Sequence, residues 1–452
     1  MMTGKKRDWL KGMAFILFLF SFTPMASADW VDIMTKFRPR ISAQEEYTDN
    51  LFYQKTNKVD DFITTVSPGL TFSTSPMPVG LPSQTPYFTP AGRAQPKYGL
   101  DLDYAPGFVF YAHNSNFNYI SHAGTLNTWY TFGRGLTFRI WDNLIQSKDP
   151  LEAYVAPGQP QQPGVFVPGI NQNGFTYLRN VVSPSMSYQF GREDFLELIY
   201  TDNYYHSQNP GVGTIWLDTV TPRFTYWFNI NHGIILEYNY ISGRYDFSPD
   251  FTGNRARARY TYRFDAQTSI FGQYTYDNLN YESPGVSYNV NNPSVGITHA
   301  FSPTLTGRAQ GGYFWQTLAS GSGASSGPTV DLGLNQRTMR TTYDFSVRGG
   351  YAADLSSAQT LGFYKYYSAI GTVTQQLATR ISVGILGSVG RYDYAGQGRK
   401  DWIWRTEGNF SYQPLRWLIA TFLVYHQEDD SDSSTSGYKE NRAMIRLTAT
   451  YW

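Results

Sequence analysis

The feature that most constrains the fold is a strict period of two in residues 255–264. One face of this segment carries Arg255, Arg257, Arg259, Thr261 and Arg263, and the other carries Ala256, Ala258, Tyr260, Tyr262 and Phe264. A helix cannot place every arginine of this set on one side, whereas successive side chains of a β-strand point to opposite faces. The segment therefore predicts a strand with one charged face and one apolar face.

The same alternation recurs along nearly the whole chain after residue 29. Segments of about ten residues that alternate in this way, separated by short turn clusters, are typical of a transmembrane β-barrel. The first strand, around residues 38–48, and the last, around residues 442–451, show the same parity. Counting the segments gives 20 strands, including a pair placed over residues 358–378, and 18 strands is the alternative.

Composition favours a membrane barrel over other classes. The chain of 452 residues has 36 tyrosines, 30 phenylalanines and 11 tryptophans, too many aromatic side chains for a disordered segment. Its mean hydropathy of −0.39 is too low for a bundle of spanning helices. No cysteine is present, which excludes a disulfide framework and thiolate metal sites. We predict an all-β fold, a single antiparallel transmembrane β-barrel of about 18–20 strands and of outer-membrane type, rather than a secreted sandwich.

The first 28 residues have the pattern of a secretory signal peptide. Basic residues at positions 5, 6, 7 and 11 precede the apolar run 13–22, and Ala26-Ser27-Ala28 supplies small residues for cleavage near Ala28. The predicted domains are therefore a signal peptide, 1–28, and a barrel, 29–452, in the outer membrane of a Gram-negative type of cell. The mature chain is slightly negative, so no nucleic-acid partner is predicted.

The connections between segments predict the orientation of the barrel. Tight links such as 133–135 and 191–194 are typical of periplasmic turns, and longer polar links such as 207–213 are typical of outer loops. Segment 147–174 is the third outer loop in this count. By analogy with general porins, we expect it to fold into the barrel and restrict the lumen, and an exposed surface loop is the alternative.

One N-terminal motif resembles a known family. Residues 45–52, Glu-Glu-Tyr-Thr-Asp-Asn-Leu-Phe, followed by 60–63 and 67–70, are similar to the N-terminal hairpin of the outer-membrane beta-barrel porin (type 2) family, which includes exopolysaccharide-associated outer-membrane barrels. The resemblance implies a barrel more firmly than a substrate. The aromatic ending Tyr451-Trp452 predicts recognition by the barrel-assembly machinery. Outer-membrane lipid and lipopolysaccharide are the expected surroundings.

Strand parity predicts which charged residues line the lumen. The candidate pore-lining residues are Arg38, Arg40, Glu46, Arg139, Arg223, Glu237, Arg255, Arg257, Arg259, Arg263, Asp277, Arg308 and Arg348. Further inward charges are Asp101, Asp103, Glu197, Asp344, Arg405, Glu407, Arg442 and Arg446. Basic residues outnumber acidic ones in this combined set, and some guanidinium groups should remain available to water or an anion.

These observations predict a porin-like channel for hydrophilic solutes with a lumen that leans weakly toward anions. One alternative is a conduit for exopolysaccharide export, in which inward Trp129, Trp227 and Phe314 stack against sugars. The other alternative is a structural sheath around a partner protein such as a cytochrome. Neighbouring genes for polysaccharide synthesis or cytochromes would distinguish the three.

No catalytic, cofactor or metal site is predicted, and the chain is not expected to be an enzyme. The six histidines are scattered, without the spacing of a metal site or a triad. Asp202 and His206 are better explained as loop residues than as a dyad, and the acidic run 428–432 as a solvated loop. Asp49-Asn50 is explained by turn formation, and Gly311-Gly312 and Gly349-Gly350 by relief of crowding or by strand curvature.

Overall fold

The computed structural model describes most of the chain after residue 35. The described residues are 36–74, 97–133, 135–149, 174–210, 213–282, 287–319, 324–354, 362–394, 398–432 and 437–451. The predicted signal peptide and Trp452 lie outside these ranges, as does most of the third outer loop. In the described ranges, no helix is long and apolar enough to cross a bilayer.

Alternating side chains form strands along the whole described chain. A short 3₁₀ turn, Ser115–Phe117, lies between two of them. The strands are β1 (Phe37–Thr48), β2 (Asp61–Ser73), β3 (Tyr98–Tyr111), β4 (Tyr119–Phe132), β5 (Leu136–Ser147), β6 (Tyr177–Gln189), β7 (Phe195–Ser207), β8 (Thr214–Trp227), β9 (His232–Tyr245), β10 (Phe251–Arg263), β11 (Thr268–Tyr281), β12 (Tyr288–Ser302), β13 (Leu305–Leu318), β14 (Ser326–Arg337), β15 (Thr341–Asp354), β16 (Gly362–Ala378), β17 (Ile381–Tyr394), β18 (Arg399–Leu415), β19 (Leu418–Ser431) and β20 (Tyr438–Thr450).

The twenty strands form one closed antiparallel barrel. Each strand pairs with its neighbours in sequence, and β1 pairs with β20 in a register that places Arg40 opposite Thr450 and Thr48 opposite Arg442. Closure leaves no edge unpaired among the described strands. The predicted fold class and the count of 20 are confirmed, and the alternative of 18 is wrong. The pair of strands placed over 358–378 is also wrong, because the described residues of this segment, 362–378, form the single strand β16.

The two faces of the barrel have opposite character. Large apolar side chains such as Tyr260, Val295 and Leu332 are exposed on the outside, on every second residue of their strands. An apolar surface that encircles a protein is unfavourable in water and favourable in lipid. The outer face is therefore the membrane-facing one, and the charged residues of β10 lie on the inner face.

Tyrosine hydroxyls on β9, β11 and β13 form hydrogen bonds on this outer surface. Tyr238 and Tyr274 donate hydrogen bonds to Asn254 and Asn291 on the adjacent strands, and Tyr313 donates to Ser326 at 3.1 Å. Tyrosine combines an apolar ring with a polar tip and prefers the membrane interface. These tyrosines therefore form a hydrogen-bonded polar border with the adjacent strands.

Contacts between distant strands show where the barrel wall curves sharply. Tyr351 on β15 donates a hydrogen bond to Asp277 on β11, and Arg442 on β20 lies 2.8 Å from Asp149, just after β5. Neighbouring strands are about 4.8 Å apart, so a flat sheet would separate β11 from β15 by roughly 19 Å. The wall therefore curves sharply around β13, and again around β2 and β3 on the opposite side.

Two glycine pairs explain local departures from regular geometry. Tyr351 shares the parity of Phe345, which is exposed to lipid, yet its hydroxyl reaches the inner face. Gly350 lies between them with φ = +151°, a conformation that side chains disfavour. At Gly312 an added Cβ would collide with the carbonyl oxygen of Pro293. Strand curvature therefore explains Gly349-Gly350, and relief of crowding explains Gly312.

Candidate functional site

The inner face of β8 and β10 carries a row of arginines that we call the arginine wall, namely Arg223, Arg255, Arg257, Arg259 and Arg263. Strand alternation places them together, and most are neutralised by carboxylates of nearby strands. Arg255 pairs with Asp277, and Glu237 accepts from both Arg223, at 2.6 Å, and Arg257, at 2.8 Å. Arg263 pairs with Glu193 at 2.5 Å.

Arg259 differs from the other members of the arginine wall. Its Nε and Nη2 donate to the amide oxygen of Gln273 at 2.9 and 2.6 Å, and its guanidinium lies 4.2 Å from the ring centre of Phe271. Within the described part of the chain it forms no ion pair. A neutral amide and an aromatic face orient a guanidinium without cancelling its charge. Arg259 therefore presents an uncompensated positive charge on the inner face.

Asp331 on β14 extends this charged surface and is absent from the sequence-based set. Arg308 lies 2.9 Å from it and Arg348 lies 4.0 Å from it. Its neighbours Val330 and Leu332 have the opposite parity, and Leu332 is exposed to lipid. The alternation of β14 is thus the signal that could have identified Asp331 as an inward acid.

The N-terminal strands place further predicted residues on the inner face. Arg40 on β1 reaches past β2 to pair with Asp103 on β3. Arg38 precedes it by two residues and shares its parity. Arg139 lies 6.0 Å from the ring of Trp129, directly opposite it on the neighbouring strand. Whether a solute contacts any of these predicted pore-lining residues stays a prediction.

The seam where β1 meets β20 contains a buried cluster that we call the closing network, formed by Glu46, Tyr53, Asp149, Glu440 and Arg442. Arg442 lies 3.1, 2.8 and 2.8 Å from Glu46, Glu440 and Asp149. Its Nη2 also donates to the Tyr53 hydroxyl at 2.7 Å. Burial raises the pKa of Tyr53 well above its ordinary value, so the hydroxyl stays protonated and donates to Asp149.

The closing network also fixes the start of the third outer loop. Asp149 is the last described residue before this loop, and its carbonyl oxygen accepts a hydrogen bond from Tyr177 at 2.9 Å, while its carboxylate binds Arg442. The rest of the loop, 150–173, lies outside the described residues. That it folds inward stays a prediction, supported by the inward position of Asp149.

Deleting 157–169 is expected to raise single-channel conductance and to admit larger solutes, because an inward loop of this length would narrow the lumen. The measurement is conductance of the reconstituted, correctly assembled deletion variant beside wild type. Equal conductance of the two would place the loop outside the lumen.

The inner face of the long-loop half contains a packed apolar cluster. Phe251, Val290 and Phe314 are at most 2% exposed, and Phe314 lies 4.9 Å from Tyr351, ring centre to ring centre. Phe314 therefore offers no ring face to a sugar in this structure. The ring of Trp227 is covered by the Arg263 guanidinium at 3.4 Å.

Two acidic segments differ from their sequence interpretation. The acidic run 428–432 is not a fully solvated loop: it starts inside β19, where Asp429 is 4% exposed on the inner face, while Glu428 pairs with Lys439 at 2.6 Å. Asp49-Asn50 is more than a turn former. Asp49 accepts from the backbone of Asn441 at 2.8 Å, and Asn50 is fully buried.

Asp202 and His206 are not loop residues, because both lie within β7, and the structure does not bring them together as a dyad. His206 contacts Thr214 at 3.1 Å, and Asp202 lies opposite Asp218 on the next strand. Four residues of extended strand separate the two by roughly 13 Å. Over the described ranges, no group of three or more His, Asp or Glu side chains is arranged to hold a metal ion.

A family model described as Putative beta-barrel porin 2 matches residues 248–451. The C-terminal part of this chain, β10 to β20, is similar to that porin family. The predicted resemblance is thereby confirmed, although the match covers β10 to β20 rather than the N-terminal motif. With its closed barrel and apolar exterior, the chain is a porin-like barrel of the outer membrane.

Solved barrels are also similar to this porin-like chain. OprD of Pseudomonas aeruginosa has 9% identity, with 92% of this chain and 96% of that one covered and a TM-score of 0.39. The FrpB iron transporter of Neisseria meningitidis, F5-1 variant, has 9% identity, 94% and 84% coverage, and a TM-score of 0.49. OccAB2 of Acinetobacter baumannii has 12% identity, 92% and 98% coverage, and a TM-score of 0.41. No curated protein matched the sequence.

Proposed function

We propose that this barrel is a passive outer-membrane channel for hydrophilic solutes with a weak preference for anions. The observation that supports the preference is Arg259, whose charge is held at the inner face by Gln273 and Phe271 without a carboxylate partner in the described chain. A fixed positive charge in a narrow aqueous path raises the local concentration of anions and lowers that of cations.

The preference is weak because the arginine wall is otherwise largely neutralised. Asp277, Glu237 and Glu193 each lie within ion-pair distance of at least one of its guanidinium groups. A paired charge contributes little to the field at the distance of a passing solute. The preference therefore depends on one uncompensated group more than on the number of arginines.

Replacing Arg259 by glutamine is expected to lower the anion-to-cation permeability ratio by roughly twofold, the order expected for one screened charge that lies within a Debye length of a passing ion. The measurement is the reversal potential of reconstituted channels in a salt gradient. Arg259→Lys retains the charge and should retain the preference.

A second control removes a neutral pair. The double variant Arg255→Gln with Asp277→Asn deletes one positive and one negative charge together, so selectivity should stay at the wild-type value. A wild-type channel that prefers cations would contradict the proposal. So would an Arg259→Gln channel with unchanged selectivity.

We propose that residues 1–28 direct secretion and are removed near Ala28, that the assembly machinery inserts the barrel, and that lipopolysaccharide contacts its exterior. The polysaccharide-export and sheath alternatives stay predictions, tested by the identity of the neighbouring genes.

A further inference from the structure

The buried side chain of Asn50 holds the first outer loop, residues 49–60, in place. Asn50 donates from Nδ2 to the carbonyl oxygens of Gln54, at 2.7 Å, and Lys439, at 2.9 Å, and its own Oδ1 accepts from the amide of Gln54 at 2.8 Å. These bonds join the start and the middle of the loop to β20. The loop therefore folds back over the seam instead of extending outward as a surface hairpin.

Tyr53 is the residue that this fold directs into the barrel. Its φ is +53°, in the left-handed region that bulky residues rarely occupy. Its side chain is 1% exposed and meets Tyr438 edge-on, with ring centres 5.1 Å apart. A disfavoured backbone conformation persists only where the surrounding contacts hold it.

The contacts of Tyr53 come from both directions around the barrel. On one side its ring belongs to a buried cluster with Tyr394 of β17 and Ile403 of β18. On the other side its hydroxyl contacts Asp149, which follows β5, at 3.2 Å. Strands β17 and β5 lie four positions from β1 in opposite directions. Tyr53 thus occupies the interior space where these two parts of the wall approach each other.

We propose that Tyr53 is a size-determining residue of the channel. It holds the first outer loop over the seam between β1 and β20, at the end of the barrel that carries the long loops. The proposal rests on the proposed channel function and concerns the permitted size of solutes, not their charge. Removing the ring leaves a gap between β5 and β17 through which additional solvent and solute can pass.

The test is Tyr53→Gly, a replacement that removes the ring and accepts the left-handed backbone. Single-channel conductance should rise on the order of twofold, as expected when the open cross-section of a water-filled path increases by that factor. The largest neutral polyethylene glycol that still enters the channel should increase as well. Asn50→Ala releases the base of the loop while keeping the ring, and should also raise the conductance.

Asn57→Gly is the matched control, because Asn57 lies in the same loop with φ = +56° but has an exposed side chain. Its conductance should equal that of wild type. Tyr53→Phe keeps the ring and should stay near wild type too. Unchanged conductance and size limit in folded Tyr53→Gly and Asn50→Ala would overturn the proposal. A wild-type barrel without conductance would instead contradict the channel function itself.

Discussion

Replacing Arg255, Arg257, Arg259 and Arg263 together by glutamine is expected to reverse the selectivity of the channel from anions to cations. The change removes four positive charges from one strand and leaves Asp277, Glu237 and Glu193 behind. The residual field of the inner face is then negative. The ratio of anion to cation permeability should fall by at least about threefold, from above one to below one. The measurement is the sign of the reversal potential in a salt gradient.

The control restores the balance of charge. Adding Asp277→Asn, Glu237→Gln and Glu193→Gln to the fourfold variant should return the reversal potential toward zero. If the fourfold variant still prefers anions, then the wall formed by β10 does not face the ion path, and its ion pairs do not govern selectivity.

Replacing Arg442 by methionine is expected to destabilise the barrel by about 3–5 kcal/mol, the usual cost of leaving buried charges without their partner. Glu46, Glu440 and Asp149 all depend on this guanidinium, and Glu440 is fully buried. The measurement is the midpoint of urea unfolding in lipid vesicles.

Arg446→Met is the matched control for this variant. Arg446 lies four residues further along β20 on the same face, and its contacts with Gln44 are exposed, so the midpoint should move little. Adding Glu440→Gln to Arg442→Met should recover part of the lost stability. Equal midpoints for Arg442→Met and Arg446→Met would show that the closing network contributes little to stability.

Much of the fold follows from side-chain parity, because a strand must sort its residues with a period of two. Parity placed Arg255 and Arg308 on one face and Tyr260 on the other, and the structure has the same division. It could not determine which strands approach each other across the lumen. That information depends on closure and on the two sharp bends of the wall.

The residues that sequence reasoning missed illustrate this limit. Asp331 had the right parity but was overlooked, whereas the contact of Tyr351 with Asp277 required a change of face at Gly350. Tyr53 lies in a segment that resembles a turn, and nothing in its local sequence shows that Arg442 will bind its hydroxyl. Such contacts are properties of the closed barrel rather than of any single strand.

The closing network has a consequence for the order of assembly. Its members come from both ends of the chain, and Thr48 and Glu440, whose side chains hydrogen-bond at 2.9 Å, are 392 residues apart in sequence. During insertion Arg442 meets Glu46 only after every intervening strand has been threaded and the last strand has docked on the first. The stabilisation therefore becomes available at a single late step, so an incomplete barrel lacks it. The same step anchors the first and third outer loops, which makes the mouth of the channel form together with the seam.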